Sequence, residues 1–325
     1  MKINKEEQYD YDDLGILPIP SSVNSREDVD ISINVLNRFI LKFPVFASPM
    51  RGIVNAEFCK LFAELGGFPI LHRFYDTKDE WYYEAEKVSE AKLFGLSIGM
   101  NDYKIAQDFI KFNPQVLLLD LANSYTQSVL DFCKILRKLI DKESPKTLLM
   151  AGNVATFDGV ENLKKAKVDL IRVGIGGGSL CSTRNKTSIA VPQISAIIDC
   201  SRSDAFIIND GGIRNSGDAV KALVAGSDAI MCGGILAQTY ESPCENTIFG
   251  MASRKLMDMR HTQVKSVEGI EKFVEKKMSL KDFVEEFSWG IRSAGTYLNA
   301  RNIEEMRNNA EFIKLGKGTL VLDKN

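Results

Sequence analysis

Histidine is scarce in this sequence and its cysteines are scattered, and both features exclude kinds of chemistry. Its 325 residues include 2 histidines, so a mechanism built on several histidines is excluded. The 6 cysteines form no CxxC pair, so we expect neither a zinc site nor a disulfide framework, and a reducing cytoplasm is the expected compartment. No apolar run approaches the ~18 residues of a membrane helix, and the polar start MKINKEEQYDYDD lacks the apolar core of a secretory signal.

Net charge is also small. The chain has 41 basic and 43 acidic residues, a difference of −2, so we expect no nucleic-acid or membrane partner. Hydrophobic residues make up 45% and charged residues 26%, which is typical of a globular protein that buries its own core. The length fits two domains of ~150 residues or one α/β barrel of ~250 residues with extensions.

Short apolar runs alternate with segments of helical spacing, and this alternation decides between the two organisations. Helical spacing occurs at 55–65, 78–89 and 216–225. Fully apolar strands between amphipathic helices are typical of a parallel sheet that is buried on both faces, and eight units favour a closed (β/α)8 barrel. The eight runs are Phe43–Met50, Phe68–Phe74, Leu93–Met100, Val116–Asn123, Thr147–Asn153, Leu170–Gly176, Ala205–Gly212 and Asp228–Gly234.

We therefore predict one barrel domain over residues 1–325, with an N-terminal extension over 1–40. After the eighth run, residues 240–287 are rich in charge and lack strand signals, so we interpret them as a flap. The closing helix is expected near Trp289–Leu298.

Several apolar runs finish in small or polar residues, and in such a barrel the active site lies at these carboxyl ends. The simpler interpretation, that glycine and asparagine only end strands and start turns, stays open for each residue taken alone. The residues concerned are Ser48, Asp120, Asn123, Asn153, Asp210, Gly211, Gly212, Gly233 and Gly234.

The segment Val173–Arg184, VGIGGGSLCSTR, carries the clearest chemical signal. It is neither a P-loop nor a Rossmann turn, because no Gly-Lys-Ser/Thr and no immediate helix follow. Cys181 lies in it among glycines and beside Arg184, where a thiol tends to be nucleophilic, although a small buried hydrophobe is the alternative. The alternative of a small buried hydrophobe suits the cysteines at other positions, namely Cys59, Cys133, Cys200 and Cys232. His72, which precedes Arg73 at the end of the second run, is interpreted as structural.

Glycine pairs follow the seventh and eighth runs, where barrels commonly bind phosphate through backbone N–H groups. Asp210 would repel a phosphate, so a carboxylate there is better suited to accept hydrogen bonds from ribose hydroxyls. Together these features predict a nucleoside monophosphate across strands six to eight.

Motifs over most of the chain resemble the IMP dehydrogenase/GMP reductase family. The resemblance implies a (β/α)8 barrel whose cysteine attacks C2 of a purine nucleotide while a nicotinamide cofactor exchanges hydride at that carbon. The motifs are ASPM (47–50), GGFPILHR (66–73), AGNVAT (151–156), VGIGGGSLCSTR (173–184), VPQ (191–193), NDGGIRNSGDAVKAL (209–223), GG (233–234), FGMAS (249–253), VEGIE (267–271) and IRSAGTY (291–297).

Within the family, the chain resembles the reductase branch more closely. LDLANSY (119–125), FGMAS and NSRED (24–28) are similar to reductase segments. The flap lacks the Arg-Tyr pair of the dehydrogenase, and no regulatory (CBS) domain interrupts the chain after the second run. The resemblance thus implies a GMP reductase that uses NADPH, or NADH, and releases ammonia. The sister reaction from IMP to XMP, a non-catalytic purine-nucleotide binder and a flavin-phosphate barrel remain alternatives.

The resemblance also implies residue roles, a homotetramer with cofactor contacts across subunits, and a monovalent cation, K+. Gly177 stands where the family has proline, and Lys265 where the reductase has arginine. The implied catalytic residues are Cys181, Thr183 and Glu268; the substrate-binding residues are Ser179, Asp210, Gly211, Gly212, Gly233, Gly234, Gly250, Met251, Ala252 and Gly269; the cofactor-binding residues are Ser25, Arg26, Arg73, Asp120, Leu121, Ala122, Lys265, Ser293 and Thr296; and the cation site comprises Gly176, Gly178, Cys181 and Arg184.

Overall fold

Eight parallel strands form a ring at the centre of the fold. A computed structural model describes residues 6–177, 183–249 and 271–316, except for the side chains of Thr183, Asn185 and Phe249. The strands are β1 Val45–Ala47, β2 Ile70–Leu71, β3 Gly95–Ile98, β4 Val116–Asp120, β5 Leu148–Val154, β6 Leu170–Val173, β7 Phe206–Asp210 and β8 Ala229–Cys232. Strands β2 to β8 pair successively in chain order, and β8 pairs with β1. A bridge between Phe46 and Phe68 joins β1 to β2, so the predicted (β/α)8 barrel is confirmed.

Helices alternate with these strands and begin where the sequence supplies a cap. Side-chain oxygens of Asn55, Thr77, Thr156, Asn215 and Ser279 accept hydrogen bonds from first-turn N–H groups. The helices at 55–65, 78–89 and 216–225 are confirmed to within a residue at each end. The barrel helices are α1 Ala56–Glu64, α2 Lys78–Val88, α3 Tyr103–Phe109, α4 Gln127–Glu143, α5 Phe157–Lys165, α6 Gln193–Cys200, α7 Ser216–Val224 and α8 Leu280–Tyr297, followed by α9 Ile303–Asn309.

Between β6 and α6 the chain also forms a one-turn helix, Thr183–Thr187. Among the helices in the described ranges, none combines the length and the apolar character that crossing a bilayer requires.

The apolar core has two layers because successive strand residues point to opposite faces. One layer fills the ring with side chains such as Phe46, Leu118 and Met231, and the other packs the outer faces of the strands against the helices. A hairpin of Ile33–Val35 and Phe39–Leu41 contributes Val35 and Leu41 to the inner layer. Polar groups are consequently left to the opposite end of the ring, which we call the mouth.

Residues 240–287 differ from the prediction in two respects. Thr247–Phe249 pairs with Glu271–Phe273 as an antiparallel ribbon, so the expectation of no strand there is wrong. The closing helix begins at Leu280, well before Trp289, because the Ser279 hydroxyl caps it and Leu280, Phe283 and Phe287 bury one face. The flap itself stays a prediction, since residues 250–270 lie outside the described residues.

The cysteines interpreted as buried hydrophobes are confirmed in that role. Cys59, Cys133, Cys200 and Cys232 are all buried, and so is Cys244. Burial raises the pKa of Cys133 and of Cys200 to about 12, so both thiols stay protonated at neutral pH. These four side chains are therefore unsuited to nucleophilic chemistry.

His72 is buried beside the mouth and is structural, as predicted. Its Nδ1 accepts the N–H of Phe74 at 3.0 Å, and its ring stacks on Tyr75 with centroids 4.2 Å apart. Burial, with a smaller contribution from the charge of Arg51, lowers the pKa of His72 to about 3. The imidazole is therefore neutral in the folded protein at pH 7.

The depressed pKa of His72 predicts a pH dependence of stability. Below the unfolded pKa of about 6.5, the unfolded chain binds a proton that the folded chain does not, so stability falls as the pH falls. His72→Gln removes this contribution, up to about 1.4 kcal/mol per pH unit. Urea unfolding of both proteins between about pH 7 and pH 5 measures the difference. Parallel profiles would show that His72 titrates normally in the folded state.

Candidate functional site at the barrel mouth

Charged and amide side chains from four neighbouring strands meet at the mouth. Asp120 and Asp210 are the last residues of β4 and β7, Arg172 lies within β6, and Asn153 lies near the end of β5. In the sheet, Arg172 is paired with Ile208, so Asp210 lies two residues further along β7 on the same face. The register of the strands thus brings these side chains together.

Arg172 joins the two carboxylates by ion pairs. Its Nη1 lies 2.6 Å from Asp120 Oδ1, and its Nη2 and Nε lie 2.7 Å and 3.0 Å from Asp210 Oδ2. Arg73, which follows β2, donates from Nη2 to the Asp120 carbonyl at 3.0 Å and approaches Asp120 Oδ2 with Nε at 3.4 Å. We call these four residues, Arg73, Asp120, Arg172 and Asp210, the charge chain.

Burial makes the charge chain energetically demanding. Arg172 is 3% exposed, and desolvation alone would lower its pKa. The charges of Asp210 and Asp120 outweigh that effect and hold the pKa of Arg172 above its usual value, so the guanidinium stays protonated. A buried charge is tolerated only when it is paired and hydrogen-bonded, and two arginines here balance two carboxylates.

Amide side chains extend the charge chain into a larger polar layer. Asn153 Nδ2 donates to Asp210 Oδ2 and to the Gly174 carbonyl, both at 2.8 Å. Gln193, at the start of α6, donates from Nε2 to the Val173 carbonyl and to Asn209 Oδ1. Among the described residues, Asn153 Oδ1, Gln193 Oε1 and Asn209 Nδ2 are buried without a hydrogen-bond partner.

The glycine pair after β7 rests on the N-terminal segment. Tyr11 lies 2% exposed beneath it and its hydroxyl is 3.1 Å from Asn209 Oδ1 and 3.2 Å from the Gly211 carbonyl. Gly212 has φ +82°, and a Cβ there would lie 2.5 Å from the Tyr11 ring. Only glycine combines this backbone conformation with so close an approach. Lys221 of α7 donates to the Tyr11 carbonyl at 2.8 Å and fixes the segment in place.

The second glycine pair, Gly233-Gly234, follows β8 and is half-buried. A Cβ on Gly233 would contact Met50 and Ser48 of the ASPM segment at 3.4 Å. Both glycine pairs predicted to bind phosphate therefore lie on neighbouring strands at the mouth, and their role in binding stays a prediction.

The described part of the chain contains three residues of the predicted catalytic and cation sites. Thr183 begins the one-turn helix but its side chain is outside the described part, Gly176 is half-buried, and Arg184 is exposed. The remaining predicted positions lie outside the described residues: Gly178, Ser179, Cys181, Gly250, Met251, Ala252, Lys265, Glu268 and Gly269.

The predicted cofactor residues fall into two groups. Arg73 and Asp120 are joined in the charge chain, and Leu121 and Ala122 follow directly, the first half-buried and the second exposed. Ser25 and Arg26 instead lie at a 3-10 helix, Arg26–Asp28, that packs against α8. Ser293 and Thr296 are half-buried on that same helix α8, where Thr296 donates to the Ser293 carbonyl.

Sequence reasoning missed Arg172, Gln193 and Tyr11 as members of the mouth. A signal for Arg172 was present, since it is a charged residue inside the apolar run LIRVGIG. A strand buried on both faces carries an arginine only where a carboxylate meets it. Tyr11 had no such signal, because its partners lie about 200 positions further along the chain.

A separate cleft of about 680 Å³ lies outside the charge chain. It is bounded by the loops after β1 and β2 and by the segment before the ribbon, with Arg51, His72, Tyr75, Glu84 and Cys244 among its lining residues. Of the predicted ligand-binding residues that the structure describes, none lines this cleft.

A closed (β/α)8 barrel with charged strand ends and glycine pairs at one mouth belongs to the class of barrel proteins that bind ligands at that end. The model of the IMP dehydrogenase / GMP reductase domain matches residues 8–321. The chain therefore belongs to the IMP dehydrogenase/GMP reductase family.

Individual relatives align over most of the chain. It is 30% identical to the GMP reductase of Onchocerca volvulus, over 98% of this chain and 93% of that protein. It is 30% identical to GMP reductase 2 of Homo sapiens, over 96% of each. With the inosine-5'-monophosphate dehydrogenase of Staphylococcus saprophyticus it shares 36% identity, over 70% of this chain and 51% of that protein.

The charge chain predicts a large loss of stability on removal of its central cation. Arg172→Met leaves the buried Asp120 without its shortest ion pair, and breaking a buried pair in this way costs about 3–5 kcal/mol. Urea unfolding at neutral pH measures the loss. As a control, Arg202→Met removes an exposed ion pair with Asp199 and should cost no more than about 1 kcal/mol. Equal losses in the two variants would contradict this interpretation.

Proposed function

We propose that the protein is an oxidoreductase that converts GMP to IMP with a reduced nicotinamide cofactor and releases ammonia. Relatives named GMP reductase align with nearly the whole chain, which supports this activity. The observation that carries the proposal is the position of Asp210, held by Arg172 and Asn153 beside the glycine pair that follows β7.

Asp210 is suited to bind the ribose of the nucleotide. All its side-chain hydrogen bonds with described residues fall on Oδ2, and the side chain keeps 15% of its surface exposed. The other carboxylate oxygen then accepts from a ribose hydroxyl, while backbone N–H groups of Gly211, Gly212, Gly233 and Gly234 bind the phosphate. In this proposal the purine is bordered by Ser179, Gly250, Met251, Ala252 and Gly269.

The reaction divides into two steps at C2 of the purine. The Cys181 thiolate adds to C2, the 2-amino group takes up a proton and leaves as ammonia, and a cysteine–purine bond remains. Thr183 and Glu268 deliver that proton, because an amine must be protonated to leave. The chemistry that a reduced nicotinamide would supply when bound is the hydride for C2. The C–S bond would then break, which forms IMP and regenerates the Cys181 thiolate.

The chain offers residues that fit a nicotinamide cofactor. The side chain of Arg73 is 11% exposed and is anchored to Asp120. Its guanidinium is therefore held in a fixed place at the mouth, where it can bind a phosphate of the dinucleotide. Leu121 and Ala122 lie beside it, and Lys265 completes this set. We propose NADPH as the cofactor, with NADH as the alternative, and K+ bound by carbonyl groups of Gly176, Gly178, Cys181 and Arg184.

Ser25, Arg26, Ser293 and Thr296 support a proposal about assembly. They lie on the 3-10 helix and on α8, two elements that pack together, and Tyr297 of α8 is 64% exposed. We propose that these residues contact the cofactor of a neighbouring subunit in a homotetramer.

The sister reaction is the second candidate, and one observation favours it. The relative named inosine-5'-monophosphate dehydrogenase has 36% identity over its aligned part, which exceeds the 30% of the GMP reductases named above. That reaction would oxidise IMP to XMP with NAD+, and the same cysteine adduct would be hydrolysed.

An assay in both directions separates the two candidates. Purified protein should oxidise NADPH in the presence of GMP and release one ammonia for each IMP formed, because the purine loses its amine before reduction. The measurements are absorbance of the reduced cofactor, an ammonia assay and chromatography of the nucleotide. Reduction of NAD+ with IMP, without NADPH oxidation by GMP, would establish the sister reaction instead.

A cysteine substitution tests the covalent step. Cys181→Ala should abolish turnover while GMP still binds, because the sulfur forms the bond to C2 and the ribose and phosphate contacts remain. Cys200→Ala is the matched control, since that thiol is buried in α6, and it should keep activity. Turnover by the Cys181 variant at the wild-type rate would contradict the covalent mechanism.

A further inference from the structure

The Tyr11 hydroxyl, which lies under the glycine pair after β7, has two acceptors within reach. It is 3.1 Å from Asn209 Oδ1 and 3.2 Å from the Gly211 carbonyl oxygen. Asn209 Oδ1 also accepts from Gln193 Nε2, at the shorter distance of 2.7 Å. Within the described ranges, no other donor reaches the Gly211 carbonyl. The carbonyl of Gly211 is therefore the acceptor that depends on Tyr11.

That carbonyl and the N–H of Gly212 belong to the same peptide group. The peptide is trans and planar, so its carbonyl and its N–H point in opposite directions. Because the carbonyl faces Tyr11, which is 2% exposed, the N–H points away from the buried side. Gly212 is half-buried, and its N–H has no hydrogen-bond partner among the described residues. This N–H group can therefore donate to a ligand at the mouth.

Glycine on both sides makes this peptide group easy to rotate. Gly211 has φ +120° and Gly212 has φ +82°. Glycine adopts positive and negative φ values with similar ease because it has no Cβ. A reversed peptide plane would direct the carbonyl oxygen at the mouth in place of the N–H, and its partial negative charge would repel a phosphate. The pair binds an anion well only if one of the two orientations is stabilised.

We propose that Tyr11 is a positioning residue for the nucleotide phosphate, because its hydroxyl holds the Gly211–Gly212 peptide in the orientation that directs the Gly212 N–H at that phosphate. This inference rests on the proposed function, which assigns the phosphate to these glycines. Tyr11 acts on the peptide group from its buried side.

Contacts of the N-terminal segment keep the hydroxyl in place. The Tyr9 N–H donates to Ser195 Oγ at 2.8 Å, and the Ser195 N–H donates to the Tyr9 carbonyl at 3.1 Å, which joins the segment to α6. Lys221 of α7 donates to the Tyr11 carbonyl at 2.8 Å. Burial also raises the pKa of Tyr11 well above its usual value of about 10, so the hydroxyl keeps its proton at neutral pH. The glycine pair thus rests on a donor whose place is fixed.

Tyr11→Phe tests this role because it removes the hydroxyl and keeps the ring under Gly212. GMP binding is measured by calorimetric titration, and binding of guanosine, which lacks the phosphate, by its competition with GMP. GMP should bind about fivefold more weakly to the variant, as expected for the loss of one neutral hydrogen bond. Guanosine should bind with unchanged affinity. A general loss of packing would weaken both ligands alike.

Turnover gives a second measurement of the same variant. The KM for GMP should rise by the same factor while kcat stays near the wild-type value, because the phosphate contact is made equally in the ground state and the transition state. The KM for the nicotinamide cofactor, measured with saturating GMP, should not change.

Tyr9→Phe is the matched control, since it removes the hydroxyl of another tyrosine in the same segment, one that contacts the exposed Glu7. Its affinity for GMP should equal that of the wild type. Unchanged GMP affinity of Tyr11→Phe would overturn the positioning role, and so would equal losses for GMP and guanosine; in both cases the proposed function stands. If the wild type binds neither ligand, the proposed function is overturned, and the positioning role with it.

Discussion

A buried arginine between two carboxylates is the constraint on which the mouth of this barrel depends. Arg172 can stay charged in a nearly water-free position only if β4, β6 and β7 hold Asp120 and Asp210 within hydrogen-bond distance. Hydrophobic packing determines which alternate residues of a strand face the core, but a shift of the strand by two residues would keep that pattern. The ion pairs therefore also fix the strand register. The ion pairs accept a single alignment of these strands.

Apolar packing and polar groups occupy opposite ends of the barrel axis. The end of the ring opposite the mouth is filled by side chains such as Phe46, Leu118 and Met231, with the hairpin residues Val35 and Leu41 packed against them. The mouth is filled by ion pairs and amide side chains. Among the described residues, three of these amides each have one buried atom without a hydrogen-bond partner. Only the mouth therefore offers polar atoms to a ligand, although its ion pairs also contribute to stability.

The sequence predicts the fold better than the site because the two are encoded over different distances. Strand runs and helix caps are local, and the runs containing β1 to β8, like the capped helices, could be recognised within a few residues. The charge chain depends on contacts between residues far apart in sequence, such as Arg172 with Asp120, and only strand register brings them together. The ribbon strands were missed since Thr247–Phe249 and Glu271–Phe273 are too short to show a period.

The charge chain also resolves a conflict that the sequence raises. A carboxylate beside two glycine pairs that are predicted to bind phosphate would repel that anion. Arg172 places a positive charge 2.7 Å from Asp210, and Arg73 balances Asp120, so the four side chains sum to no net charge. Because Arg172 is too buried to bind an anion itself, it lowers the repulsion without competing for the ligand. The mouth can then offer Asp210 as an acceptor for hydroxyl groups and still admit a phosphate.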